Sequence, residues 1–446
     1  MVPPAVDNKP SLLVNQEYQR RRQHLAANLI SNSLAIIPAA HEIIRNGDSH
    51  YRFRQDSDFY YLTGFNEPDA ILVIIKDTNT VSVMFNRPSD PLQEQWTGER
   101  VGIDGAKDIL GVDFAYSIDT FADKLPELLA NRSVLYFFPE KHAFYSQQIR
   151  GALDFVNAQV RRGICAPQIF YNLAPLLSDM RLSKSPLEIQ LMRTATDISV
   201  IAHQRAMQTC MQHDWEYQLE AELLFTFINN GASGVAYNPI VGAGKNSCIL
   251  HYNANNQRLL AGDLVLIDAA AEYSNYAADI TRTLPINGYF NARQKAIYEL
   301  VLIAQQAGID CIKPGICWDV IQQTIVRILT IGLRDLGLLG GDLSNLIEKN
   351  MYKQFYMHNS GHWLGLDVHD CGSYKVHQQW RSLEEGMVLT VEPGIYISQH
   401  IAAIDPQWHN IGVRIEDDIL VTATGYENLS KNLPRSIADI EAAMHG

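Results

Sequence analysis

At 446 residues, with 47% apolar and 19% charged residues, the chain has the length of two domains and the composition of a soluble globular protein. Its net charge of −13, from 36 Lys and Arg against 49 Asp and Glu, argues against nucleic acid and anionic membrane as partners, because both select positive surfaces. No apolar run approaches the ~18 residues of a membrane helix. The opening MVPPAVDNKP lacks the cationic end and apolar stretch of a secretory signal, so the expected location is the cytoplasm. The six cysteines (Cys165, Cys210, Cys248, Cys311, Cys317 and Cys371) include no C-x-x-C pair and read as buried thiols in a reducing compartment.

From about residue 32 to 170, strand-like and helix-like segments alternate. AILVII (70–75), VSVMFN (81–86) and VLYFFP (134–139) are rich in β-branched and aromatic residues and bounded by turn residues, which predicts an α/β domain over 1–182. A second domain, 183–446, opens at Ser185-Pro186. Ser185 is a good N-cap, Pro186 fits the first turn and Glu188 completes a capping box. Leu187, Leu191, Ala195, Ile198 and Ala202 then repeat at helical spacing. EYQLEAELLFTFIN forms a second helix that stops at Asn230-Gly231, and more helices lie between about 291 and 335.

Two later passages resemble one another. GDLVLIDAAAEY begins at Gly262 and GMVLTVEPGIY at Gly386, and each places an acid six residues on, Asp268 or Glu392. Each is preceded by a histidine, His251 or His369, and followed by a further acid, Asp279 or Glu416. This suggests two related halves facing one another across a site. Ser274-Asn275 reads as a two-residue hairpin loop, which sets Tyr273 opposite Tyr276, Ala270 opposite Asp279 and Asp268 opposite Thr281. Asp268 and Asp279 are then diagonal neighbours with Cα atoms roughly 7–8 Å apart. Two carboxylates that close need a shared proton or a cation. The competing reading is a solvated sheet face, but Asp268 ends an apolar run where an exposed face would alternate. Period-two alternation puts Arg414, Glu416 and Asp418 on one face, with Ile415 and Ile419 toward the core.

MHNSGHWLGLDVHD (357–370) holds His358, His362 and His369. His358 and His362 have the spacing of a helical H-E-x-x-H zinc clamp, but Asn359 stands where that motif needs Glu, and Gly361 and Gly365 disfavour a helix. The segment reads instead as a loop entering a strand over WLGLDVHD.

In order and context, Asp268, Asp279, His362, Glu392 and Glu416 resemble the ligands of the dinuclear metallopeptidases with the pita-bread fold, which include aminopeptidase P, prolidase and methionine aminopeptidase. TVEPGIY and RIEDDILVT resemble the flanks of the last two ligands, and RFRQDSDFYYLTGFNEPDAILVI (52–74) resembles the amino-terminal domain of aminopeptidase P. One departure is Asn359-Ser360, where the family has Gly and an apolar residue.

The resemblance implies a two-domain α/β and α+β protein, with a creatinase-like N-terminal α/β domain and a C-terminal pita-bread (creatinase/aminopeptidase) fold. It implies an Xaa-Pro aminopeptidase acting on peptides with proline second, with prolidase, restricted to Xaa-Pro dipeptides, as the alternative. It implies two Mn²⁺ ions per subunit, with Co²⁺ or Zn²⁺ also accepted, since hard oxygen donors with one imidazole suit them. Asp279 and Glu416 would bridge, Asp268 would complete one ion, and His362 with Glu392 the other. Glu392 would take the proton of the attacking water, and His251 and His369 would donate to the substrate carbonyl. His358, Tyr396, Arg414 and Trp96 would contact substrate or support its pocket. A homo-oligomer, tetramer or dimer, is also implied. A metal-free binding module is disfavoured because all five ligands are present. Methionine aminopeptidase is disfavoured by the sizeable first domain and the Pro-Gly-Ile-Tyr after Glu392.

Overall fold

The structure, a computed structural model, describes residues 12–401 and 404–446. The first eleven residues, on which the expected lack of a secretory signal rests, lie outside the described residues. The chain divides into two compact units, one ending at Arg181 and the other running from Leu182 to Gly446.

The first unit is built on a six-stranded mixed sheet. From edge to edge it runs Phe114–Ser117, Thr80–Asn86, Ile71–Lys76, Ser33–Pro38, Val134–Phe137 and Ile169–Asn172. The apolar runs form its centre, because a strand covered on both faces has no place for alternating polar residues. Leu34, Ile36, Ile71, Val73, Val83 and Phe85 meet Phe121, Leu125 and Leu129 of one helix and Tyr145, Ile149, Ala152 and Val156 of another. The helical residues recur at three and four positions, the spacing that lines one face.

The second unit opens with helix Pro186–Thr209. The capping box forms as expected: Glu188 N donates to Ser185 Oγ at 3.4 Å and Ser185 N to Glu188 Oε2 at 2.9 Å. Ala195, Ile198 and Ala202 are buried in the core. Helix Glu216–Asn229 ends at Asn230, and Gly231 takes the left-handed conformation (φ 88°) that stops it. The helical stretch near 291–335 is two helices, Ala292–Asp310 and Asp319–Asp335, interrupted around Pro314-Gly315.

His203, on helix Pro186–Thr209, is 1% exposed and its Nε2 donates to Ala269 O at 2.8 Å. Burial pulls its pKa from 6.5 down to about 4. The folded state therefore prefers the neutral ring. Its contribution is fully present above the unfolded pKa of 6.5 and is lost as pH falls toward 4, amounting to roughly 3 kcal/mol. His203→Asn is expected to flatten the stability curve between pH 6.5 and 4, read as urea midpoints. An unchanged slope contradicts this.

Two small sheets carry the acids. One orders Ile240–Ala243, Leu264–Asp268 and Thr281–Pro285; the other orders Val388–Val391, Asp417–Thr422 and Gly425–Asn428. The two resembling passages each form a strand, central in the first sheet and at the edge of the second, and their opening glycines share positive φ, 94° at Gly262 and 86° at Gly386. The sheets touch through an antiparallel bridge between Thr281 and Glu416. The hairpin register is the expected one: Tyr273 faces Tyr276, Asp268 faces Thr281, and Ser274 and Asn275 both have positive φ. Between these rungs Ala278 N donates to Ala271 O and Ala269 N to Ile280 O, which carries the register through and leaves Ala270 opposite Asp279.

Two expectations are corrected. WLGLDVHD is not a strand. Only Trp363 bridges a strand residue, Leu389, and the chain then closes on itself through Asp370 N to Trp363 O at 2.9 Å. A buried ion pair, Lys184 Nζ to Asp370 Oδ2 at 3.0 Å, staples this loop, so local closure outcompetes ladder pairing. The cysteines are all free, but only Cys210 is fully buried and Cys165 is exposed. Absence of a disulfide does not require burial.

Candidate metal centre

Where the two small sheets meet, a cavity of about 460 Å³ opens in the C-terminal unit. The strand ends put Asp268, Glu392 and Glu416 on its wall, Asp279 precedes the strand Thr281–Pro285, the segment entering the closed loop brings His358 and His362, and the loop itself brings His369. His251 and Arg414 also line it. Tyr396 lies just behind and reaches it through Arg414 and His358. Trp96 is on helix Pro91–Thr97 of the N-terminal unit, is 86% exposed, and is not among the lining residues.

Asp279, His362 and Glu416 each present one ligand atom within 4.8 Å of the others. His362 Nε2 is 3.2 Å from Asp279 Oδ2 and 3.8 Å from Glu392 Oε1. His362 Nδ1 donates to Trp363 O at 3.0 Å, which turns Nε2 toward the acids. His369 stands edge-on to His362 with centroids 4.4 Å apart.

Asp268 is held on both oxygens, by Tyr237 OH at 2.6 Å and Arg414 Nη2 at 2.6 Å. Arg414 continues to Tyr396 OH at 3.0 Å and Thr281 Oγ1 at 3.2 Å, and His358 Nε2 meets the same Tyr396 hydroxyl at 2.8 Å. Thr281 Oγ1 donates to Glu416 Oε2 at 2.7 Å. These bonds fix the carboxylates of Asp268 and Glu416.

The electrostatics test whether metal fits. Burial, and then the neighbouring carboxylates of Asp279, Glu392 and Asp268, push Glu416 well above the usual carboxylate range. Burial raises Glu392 to about 7 and also raises Asp268, against the pull of Arg414. His362 is buried, yet its hydrogen bond to Asp279 and the charges of Asp279 and Glu392 lift it to about 9. Four largely buried carboxylates clustered with one imidazole need more positive charge than Arg414 supplies. Hard oxygen donors around a single imidazole are what a divalent cation of the Mn²⁺ or Zn²⁺ type accepts. The donor set fits such a group.

Sequence reasoning assigned no role to Tyr237, Thr281 or Asp418. Both oxygens of the fully buried Asp418 accept the backbone N–H of Asp279 at 3.2 Å, and Thr196 Oγ1 donates to Asp418 Oδ2 at 3.1 Å. Only the acid run in RIEDD hinted at it. Nothing in the turn-like GVAYNP marked Tyr237.

The fold and pocket together define a metal-dependent hydrolase site. Residues 190–423 match metallopeptidase family M24, and residues 18–136 match the N-terminal domain of aminopeptidase P. The chain is 46% identical to an Xaa-Pro aminopeptidase of Haemophilus influenzae, covering 97% of this chain and 98% of the relative. An aminopeptidase PepP structure from Pseudomonas aeruginosa superposes with a TM-score of 0.94 at 46% identity, covering 97% and 98% of the two chains. A zinc-substituted Escherichia coli aminopeptidase P in complex with product matches at 0.94 and 45%, with the same coverage. The chain belongs to metallopeptidase family M24. It is a metallo-aminopeptidase with a divalent-metal site, and its C-terminal fold is the pita-bread fold.

Proposed function

We propose that this enzyme is an Xaa-Pro aminopeptidase, releasing the N-terminal residue from peptides whose second residue is proline. The observation that carries the reading is the cavity, where all five metal-type donors and three further histidines converge, in a chain 46% identical over nearly its whole length to an Xaa-Pro aminopeptidase. Two Mn²⁺ ions per subunit are the proposed cofactor. Asp279 and Glu416 would bridge them, Asp268 would complete one, and His362 with Glu392 the other. The zinc-substituted relative supports a site that accepts Zn²⁺ as well, and Co²⁺ meets the same donor chemistry.

Bound divalent ions supply an activated water and a polarised scissile carbonyl. The chain does the rest. Glu392 takes the proton of the attacking water at its carboxylate and delivers it to the departing prolyl nitrogen. His251 and His369 donate N–H bonds to the carbonyl oxygen as negative charge develops there. Asp268, on the cavity wall, anchors the free amine of the substrate, which restricts cleavage to the N-terminus. His358, braced by Tyr396, lines the proline pocket, and Arg414 holds Tyr396 and Asp268 in register. Trp96 is assigned to substrate contact from a neighbouring subunit; its 86% exposure supports this.

The proposed location is the cytoplasm and the proposed state a homo-oligomer, dimer or tetramer. Six free cysteines support a reducing compartment, and among the described residues no helix is long and apolar enough to cross a membrane. Peptides are the proposed partners; the net charge of −13 disfavours nucleic acid and anionic membrane. The test is hydrolysis of Ala-Pro-Ala against Ala-Pro by the metal-loaded enzyme. The tripeptide is expected to be cleaved between alanine and proline, and exclusive hydrolysis of the dipeptide contradicts the assignment in favour of prolidase.

A further inference from the structure

The catalytic loop that carries His251 has little structure of its own. Residues 250–256 form neither helix nor strand, and His251 and Asn253 are exposed on the cavity rim. Such a segment keeps one conformation only if something outside it removes its backbone freedom. Two buried side chains do so. Asn255, 1% exposed, accepts Val241 N at 3.0 Å and donates to Pro239 O at 2.9 Å. The other is Glu216, at the start of helix Glu216–Asn229.

Glu216 is 0% exposed, and no ion-pair partner faces it among the described residues. Its carboxylate instead accepts four hydrogen bonds, all from the segments flanking His251. Oε1 takes Ala243 N at 2.8 Å and Asn246 Nδ2 at 3.1 Å; Oε2 takes Tyr252 OH at 2.7 Å and Gln257 N at 2.8 Å. Its own N–H donates to Gln257 O at 3.0 Å. The helix start is capped without it, since Gln218 Oε1 accepts Asp214 N and Trp215 N. A buried carboxylate that bonds both arms of one loop, with the site's histidine between them, is a clamp on that loop.

We propose that Glu216 is a positioning residue for catalysis, setting the His251 loop so that the imidazole meets the scissile carbonyl. This rests on the role given to His251 under Proposed function. Glu216 is not among the cavity's lining residues and its bonds reach none of the proposed metal ligands, so its effect passes through the loop. A glutamine here has one oxygen, and its amide NH₂ confronts donors already pointing at it, so one arm is released while the bulk is kept.

The test uses the full-length, metal-loaded enzyme with Glu216→Gln, and Tyr252→Phe as a gentler variant that removes one bond. In Glu216→Gln, hydrogen exchange over residues 249–258 is expected to accelerate while exchange elsewhere holds. The kcat on Ala-Pro-Ala is expected to fall about tenfold with KM and metal content unchanged. Tyr252→Phe is expected to shift both in the same direction by less. In a His251→Ala background the Glu216→Gln effect on kcat is expected to shrink below about twofold, because both changes remove the same interaction. Independent, multiplying losses overturn the proposal, and so does unchanged exchange. If His251→Ala alone leaves kcat intact, the role of His251 fails and the catalytic part of the proposal fails with it, whereas unchanged exchange overturns the clamp with the role of His251 standing.

Discussion

Asp279→Asn is expected to remove bound metal and hydrolysis together, lowering kcat/KM at least about 10³-fold, or roughly 4 kcal/mol of transition-state stabilisation. Asp279 is the donor on which the centre converges. It is 5% exposed, clusters with His362 and Glu416, and has its backbone held from behind by Asp418. Asparagine keeps the shape but offers one neutral oxygen, and its NH₂ would point a donor where a cation should sit. Metal per chain by elemental analysis, run beside Ala-Pro-Ala hydrolysis, checks this; retained activity contradicts the ligand assignment. The histidines separate in the same assay. His362→Ala depletes metal because its Nε2 faces Asp279, whereas His369→Ala leaves metal in place and lowers mainly kcat.

Arg282→Met is expected to destabilise the C-terminal unit by about 3–5 kcal/mol, because it strands a charge in the core. Arg282 and Asp417 form an ion pair at 2.7 Å with side chains 1% and 0% exposed. Asp417 also accepts Ser430 Oγ at 2.6 Å and Gln305 Nε2 at 3.0 Å, but the nearest other cation, Arg435, is 3.5 Å away and partly exposed. The Arg282→Met/Asp417→Leu double variant is expected to recover much of the loss, since replacing a buried pair by apolar groups costs far less than breaking it. Urea midpoints measure both, and a loss below about 1 kcal/mol for the single variant contradicts the account. Activity should fall as well, because Arg282 Nη1 donates to the carbonyl of Glu416 at 2.7 Å and so helps place a proposed ligand.

Much of the scaffold was legible in the chain. The Ser185–Glu188 capping box, the stop at Asn230-Gly231 and the Ser274-Asn275 turn each depend on residues within four positions, and all three formed as read. The register they set placed Asp268 opposite Thr281, and the Gly262 and Gly386 passages each contribute a strand to one of two small sheets that an antiparallel bridge joins. Among the cavity acids, Asp268 and Glu392 stood out locally because each ends an apolar run, and the hairpin register drew in Asp279, whereas Glu416 and His362 entered as expected ligands only through the family resemblance.

The loop after His362 was misread for the same reason that the turns were read correctly. WLGLDVHD alternates like a strand, but the partner that decides its shape is Lys184, 186 positions away, whose ion pair with Asp370 closes it into a loop. Tyr237 carries no local mark, and although alternation set Arg414 and Asp418 on one face, nothing local showed that Tyr237 and Arg414 hold Asp268 from 31 and 146 positions away or that Asp418 holds Asp279 from 139. Helix caps, turns and alternation are short-range physics and can be read along the chain. The hydrogen bonds that aim a carboxylate depend on which distant segments are buried together, and only the folded arrangement of the two sheets chooses those partners.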